Sequence, residues 1–195
     1  MTQQRKGIDA LYQDPWPDSY RFFQLGFLVD DLQAAARRWI EVYGVGPFYF
    51  LRRAVQRHHH RGRVVEVDMQ VCTSQAGPVQ IELIHLFSEG PNIYRDLFPP
   101  GGTGLHQICT VTRDYDAAKA RYDRLGCPVA AEIDMQGGPF RVCYVDTLRD
   151  FGVFTEVVEY TPGFLEALKR ISDACADWDG TDPLRVMTRD GYRPL

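Results

Sequence analysis

No apolar run in the 195 residues approaches the ~18 needed for a membrane-crossing helix. The N-terminal stretch MTQQRKGIDALYQDPWPDSY also lacks the apolar core of a secretory signal. Both absences lead us to expect a cytoplasmic protein. There is no excess of positive charge either: 22 Lys and Arg face 26 Asp and Glu, a formal net charge of -4. Neither a nucleic acid nor an anionic membrane is therefore an expected partner. Cys72, Cys109, Cys127, Cys143 and Cys175 form no C-x-x-C pair and no cluster with histidine. That spacing argues against a structural zinc site or a disulfide framework, and we read them as small apolar fillers in a reducing compartment. With 45% hydrophobic and 12% aromatic residues, the composition is that of a globular protein with a core.

What the chain does contain is an internal repeat. FFQLGFLVDDLQAAARRW aligns with LHQICTVTRDYDAAKARY, placing Gln24 on Gln107, Asp31 on Asp114, Arg38 on Arg121 and Trp39 on Tyr122 at one constant offset. PVQIELIHL aligns with GVFTEVVEY, placing Val79 on Val153 and Glu82 on Glu156. Each copy reads as an alternating strand, a helix and three further strands. In the first copy the strands fall near Phe22–Val29, Pro47–Arg52, Arg63–Thr73 and Val79–Phe87. In the second they fall near Gly104–Thr112, Val129–Ile133, Phe140–Asp146 and Gly152–Tyr160. The expected fold class is α+β: two tandem βαβββ modules forming a curved mixed sheet or barrel around a cavity, with a C-terminal helix. The expected organisation is a first module over 22–89, a linker over 90–103, a second module over 104–160, and a helix (Phe164–Trp178) with an irregular tail over 161–195. An alternative to the intrachain barrel is a domain-swapped homodimer.

Strand side chains alternate faces, so each strand divides into a helix-packed face and an open one. Phe23, Leu25, Phe27 and Val29 form the helix-packed face of the first strand, leaving Gln24, Gly26 and Leu28 on the open face. In the last strand of that copy, Gln80, Glu82 and Ile84 share the open face. The repeat puts Gln107 with Cys109 and Val111, and Glu156 with Phe154 and Val158, at equivalent places. Gln24, Glu82, Gln107 and Glu156 are thereby expected to converge on one cavity. A carboxylate inside an apolar strand is costly to bury unless it is paired, protonated or metal-bound, and here it occurs twice at matched positions. The plainer reading is a pair of exposed strand residues, or inert pairs with the glutamines. Glu66 and Asp68 are additional base or substrate-binding candidates, and Tyr144 a pocket-lining one. The basic segment Arg52–Arg63 reads as a solvated turn, with an anionic ligand as the sharper alternative. Its three consecutive histidines alternate faces and so make a poor chelate. His85 and His106 are expected on the helix side, since a one-residue slip would turn Ile108 into the cavity.

The segments FQLGFLVDDLQAA, GPVQIELIHL, GLHQICTVTRDYDAA and FGVFTEVVEY resemble the vicinal oxygen chelate superfamily, most closely its methylmalonyl-CoA epimerase-like, glyoxalase-domain members. The resemblance implies paired βαβββ modules around a cavity in which a divalent metal polarises a carbonyl or enediolate and a carboxylate moves the proton. It places the metal-ligand positions on Gln24, Glu82, Gln107 and Glu156. The epimerase-like pattern usually has histidine where this chain has Gln24 and Gln107. An all-oxygen set favours Mg, Mn or Ca over Zn, or a metal-free site. The implied function is an isomerase, epimerase or lyase that removes a proton next to a carbonyl of a small-molecule substrate, an acyl-CoA among the candidates. Glu82 and Glu156 would be its catalytic bases. The alternative is a metal-free protein of the same fold that binds or sequesters a small molecule.

Overall fold

The alternating run at the start of the repeat folds as β1 (Arg21–Leu28), followed by α1 (Leu32–Tyr43). Asp31 caps α1, its Oδ1 accepting from the backbone amides of Gln33 at 2.8 Å and Ala34 at 3.0 Å. Gly44 ends the helix at a φ of 65°, where a side chain would be strained. The first copy continues through β2 (Phe48–Phe50), β3 (Ala54–His60), β4 (Arg63–Ala76) and β5 (Val79–Leu86). The second copy opens with β6 (Gly104–Thr112) and α2 (Tyr115–Arg124). There Asp114 accepts from the Ala117 amide at 2.9 Å, so the matched aspartates of the repeat are matched helix caps. It then runs through β7 (Val129–Asp134), β8 (Val142–Val145), a single turn α3 (Leu148–Phe151) and β9 (Phe154–Glu159). The computed structural model describes residues 21–134, 138, 140–188 and 191–195. The N-terminal stretch read above for its lack of a signal lies outside the described residues.

Within each copy the first strand pairs in parallel with the last, β1 with β5 and β6 with β9. The other pairings are antiparallel. The copies meet at two antiparallel seams, β1 against β6 and β3 against β7. Because β5 also pairs with β4, eight strands close into a barrel and none of the eight keeps a bare edge.

The second seam corrects the sequence reading. Arg52–Arg63, expected as a turn, is mostly strand β3, and the run at 47–52 contributes only the three residues of β2. Alternation is present in β3 but masked by composition: His58 and His60 are 0% and 6% exposed, whereas their neighbours Arg57 and His59 are exposed. The chain's tail also differs from expectation. After α4 (Pro162–Ala176), capped by Thr161, it forms β10 (Leu184–Thr188) and β11 (Gly191–Pro194). β10 pairs in parallel with β2, and the buried Arg185 donates to the Tyr49 hydroxyl at 2.9 Å. Among the described residues no helix is long and apolar enough to cross a membrane. The five cysteines are free thiols.

Two apolar clusters fill the ends of the barrel. At one end, Leu28, Val67, Met69, Ile84 and Phe154 meet Ile93 and Tyr94, which the 90–103 connection sends inward. At the other, Cys109, Val111, Val142 and Val158 lie under Leu165 and Leu168 of α4. Phe23 joins this second cluster instead of packing under α1, because a register shift between Phe22 and Gln24 turns it inward. A separate core lies between α1 and the outer sheet face, with Leu32, Ala36, Ile81 and Leu83 in contact. Leu83 is 0% exposed there, whereas Leu125 beyond α2 is 59% exposed. Leu83→Ala is expected to lower unfolding stability by about 2–5 kcal/mol and Leu125→Ala by under about 0.5 kcal/mol. Urea denaturation of the two variants side by side checks the assignment.

Candidate active site

Two adjacent rungs of the barrel carry the polar interior. The first runs Thr73, Glu82, Gly26, Gln107 and Phe154 across β4, β5, β1, β6 and β9. The second runs Gln75, Gln80, Gln24, Cys109, Glu156 and Tyr144, reaching β8. All four residues singled out by the repeat, Gln24, Glu82, Gln107 and Glu156, therefore stand on neighbouring rungs between the apolar ends. Gln24 Nε2 donates to Gln80 Oε1 at 2.6 Å, and Gln107 Nε2 donates to Glu82 Oε2 at 3.2 Å.

Gly26 makes the second of these bonds sterically feasible. It separates Glu82 from Gln107 on the rung, and a Cβ there would stand 2.5 Å from both Cδ and Nε2 of Gln107. The missing side chain is the space through which Gln107 crosses from the second copy to the first.

His106 corrects the sequence reading. A register shift between Gly26 and Phe27 makes it an extra residue in β6, so Gln107 faces Gly26 while Leu105 faces Phe27. Ile108 keeps its place opposite Leu25. A bulge, unlike a slipped strand, turns one residue inward without disturbing the rest. His106 is 0% exposed and packs on Tyr94, Tyr144 and Phe154 at ring distances of 4.7, 5.8 and 5.1 Å. Its Nδ1 meets Gln107 Oε1 and its Nε2 meets the Ile93 carbonyl at 3.2 Å. Burial depresses its pKa to about 4, and that of His58 likewise, so both rings are neutral at pH 7 and His106 donates to only one of its two oxygen neighbours. His85 stays outside the barrel, its Nδ1 against the Val29 carbonyl at 3.2 Å.

The two glutamates differ in environment. Burial, followed by repulsion from Glu156, raises the Glu82 pKa to about 8. Glu82 sits within the barrel yet retains some accessible surface. Burial also raises Glu156, but hydrogen bonds from the Cys109 thiol, the Tyr144 hydroxyl and the Gln107 amide favour its charged form. Tyr144 is linked in turn to the Tyr94 hydroxyl at 3.0 Å. Burial thus favours the protonated form of both carboxyl groups, and only Glu156 has several hydrogen bonds that oppose it.

Glu66 and Asp68 are not brought to this cavity. On β4 the inward residues are Val65, Val67 and Met69, which leaves Glu66 exposed and Asp68 paired with Arg53 at 2.6 Å on the outer face. Arg61 of the basic segment is held by Asp96 at 2.7 Å and Asp146 at 2.8 Å. Gln80, Tyr94 and His106 were not among the residues singled out from sequence. The Gln80 position was legible, being two residues before Glu82 on the same strand face. Tyr94 lies in a connecting segment with no periodicity to assign it.

Among the described residues no group of three His, Cys, Asp or Glu side chains is arranged to hold a metal ion. Gln107 turns its amide nitrogen to the carboxylates and its oxygen to His106. Gln24 uses its nitrogen on Gln80. In this arrangement the four residues do not form a shell of oxygen donors.

Gly26→Ala is expected to displace Gln107 and lower stability by about 1–3 kcal/mol. The Gly26→Ala/Gln107→Ala double variant should lose less than the sum of the singles, a coupling that a double-mutant cycle measures. A second expectation concerns pH. The folded chain keeps the Glu82 proton up to about pH 8 while an unfolded glutamate loses it near 4.5, so this group's stabilisation is lost as pH rises between those values. His58 and His106 act in the opposite sense only below about pH 6.5. Between pH 6.5 and 8, Glu82 should therefore lower unfolding stability by up to about 1.4 kcal/mol per pH unit, and Glu82→Gln should flatten that slope. Chemical denaturation across the range measures both.

The family model of the Glyoxalase/Bleomycin resistance protein/Dioxygenase superfamily matches residues 23–144. Among solved structures, a hypothetical protein from Bacillus halodurans C-125 is similar with a TM-score of 0.54 and 14% identity, covering 73% of this chain and 96% of that one. A Streptomyces coelicolor methylmalonyl-CoA epimerase in complex with 2-nitronate-propionyl-CoA has a TM-score of 0.50 and 22% identity, covering 73% of this chain and 95% of that one. A methylmalonyl-CoA epimerase in complex with methylmalonyl-CoA and NH4+ has a TM-score of 0.50 and 21% identity, covering 73% and 96%. No curated protein matches the sequence. Matched over more than half its length and folded as two βαβββ copies around a shared interior, the chain belongs to the glyoxalase/bleomycin resistance protein/dioxygenase superfamily.

Proposed function

We propose that the protein is an isomerase or lyase that moves a proton at a carbon next to a carbonyl, with an acyl-CoA as the first substrate class to test. The observation that carries this reading is the pair of inward glutamates, one from each copy, on neighbouring rungs of one barrel with the Gln107 amide beside them. Glu156, whose hydrogen bonds favour its charged form, takes the proton, and the enolate oxygen that develops is held by the Gln107 amide hydrogen that Glu156 releases on becoming protonated. Glu82 returns its proton from the other copy's side of the cavity. An acid and a base approaching from different strands suit inversion at one carbon. The acyl-CoA class is suggested by the similar epimerase structures, one carrying 2-nitronate-propionyl-CoA and one methylmalonyl-CoA. An oxygen-bound Mg, Mn or Ca ion at this place would require Gln107 to turn its amide oxygen from His106 towards the carboxylates.

The test is deuterium incorporation from D2O into methylmalonyl-CoA and propionyl-CoA, read by mass spectrometry. Wild type should incorporate deuterium, and Glu156→Gln should slow it by about 10²-fold or more. Glu82→Gln should retain exchange while losing inversion of methylmalonyl-CoA. Chelation followed by dialysis should leave the rate unchanged; recovery only on adding Mg, Mn or Ca would replace the proton on Glu82 by an ion. Saturable binding of either thioester with no exchange would shift the reading to a sequestering protein, which the two glutamines at the usual histidine positions favour.

A further inference from the structure

The inward faces of β4 and β5 carry three neighbouring polar atoms without a hydrogen-bond partner in the fold. Thr73 Oγ1, Gln75 Oε1 and Gln80 Nε2 are buried without a hydrogen-bond partner, on residues 5%, 8% and 2% exposed. They are neighbours: Thr73 faces Glu82 across the β4–β5 pairing and Gln75 faces Gln80. Strand alternation sets all three on the face that carries Glu82.

Their donor and acceptor roles are fixed by their other bonds. Gln75 Nε2 donates to the Gly77 carbonyl at 2.9 Å, which can only accept, so Gln75 offers the cavity its oxygen. Gln80 Oε1 is occupied by Gln24 at 2.6 Å, so Gln80 offers its nitrogen. Thr73 can do either. Each orphan costs free energy, and three side by side is a cost that a bound group would remove. Charge narrows the class of that group. Arg185, on β10 outside the barrel, is the sole lysine or arginine buried among the described residues, and Glu82 and Glu156 lie on the same two rungs. A carboxylate or phosphate here would add negative charge beside two buried glutamates.

We propose that Thr73, Gln75 and Gln80 form a recognition subsite for an uncharged amide group of the ligand, whose N–H is taken by Gln75 and whose C=O is taken by Gln80. The inference deepens the reading above, since it rests on the cavity that Glu82 faces. Residues two apart on a strand are about 7 Å apart, so the amide would sit a few bonds from the carbon beside Glu82. Both the pantetheine arm of a CoA thioester and an amide in the acyl part itself meet that requirement.

The test is a solution NMR titration of isotope-labelled full-length protein with N-methylacetamide, with acetate as the charged control. Side-chain amide signals of Gln75 and Gln80 should shift saturably with N-methylacetamide and not with acetate. Thr73→Val should make the ligand-free protein equally or more stable, because it removes a buried orphan hydroxyl, while weakening binding several-fold. Gln75→Met should weaken it at least tenfold. Pantetheine binding more tightly than N-methylacetamide, with the same two signals moving, would assign the subsite to the CoA arm; the reverse order would assign it to the acyl part. No saturable shift, or equal shifts with acetate, would overturn the proposal, as would a through-space contact showing Gln75 Oε1 bonded directly to Gln80 Nε2. None of these outcomes depends on turnover, so the proton-transfer reading can fail or stand separately.

Discussion

Two carboxyl groups inside one closed barrel, with no buried lysine or arginine beside them among the described residues, is the constraint on which the rest of this structure depends. Bare charges there would cost far more than a domain's net stability can absorb, so the negative charge has to be reduced or hydrogen-bonded. The fold does both, unequally. Glu156 receives the thiol, the phenol and the amide, whereas Glu82 receives the amide and is pushed up to a pKa of about 8. Gln107, fixed at its far end by His106, is the side chain common to both.

That arrangement explains features that would otherwise look incidental. Gly26 leaves the gap through which Gln107 passes, the β6 bulge turns His106 and Gln107 to the same side, and the 90–103 connection supplies the carbonyl and the tyrosine that hold them. The apolar clusters at either end confine this polar layer to the middle of the barrel. Stability and chemistry pull in opposite directions here: a hydrophobic replacement of the whole layer would relieve buried charge and orphan polar atoms together, and would leave a barrel with nothing to do.

Much of this was legible in the sequence because the repeat is long and its strands alternate cleanly. Gln24, Glu82, Gln107 and Glu156 could be placed on one face from period alone, and the matched Asp31 and Asp114 located both helix starts. Three features were not legible, each for a physical reason. The alternation in β3 is written in arginine and histidine, so its buried members look like solvated charge until pairing with β7 gives them an inside. The bulges at Phe23 and His106 shift a single residue across the sheet, and period-two reasoning has no term for an extra residue. Glu66 and Asp68 lie outside for the converse reason: they alternate with Val65 and Val67, but which side of the strand faces the interior depends on how the sheet curls.

The most direct measurement is a carbon-13 NMR titration of the side-chain carboxyls of Glu82 and Glu156 in the intact protein. The account predicts that Glu82 is still protonated at pH 7 and titrates near 8, while Glu156 loses its proton first. Both carboxyls titrating together near the ordinary glutamate value of 4.5 would contradict it.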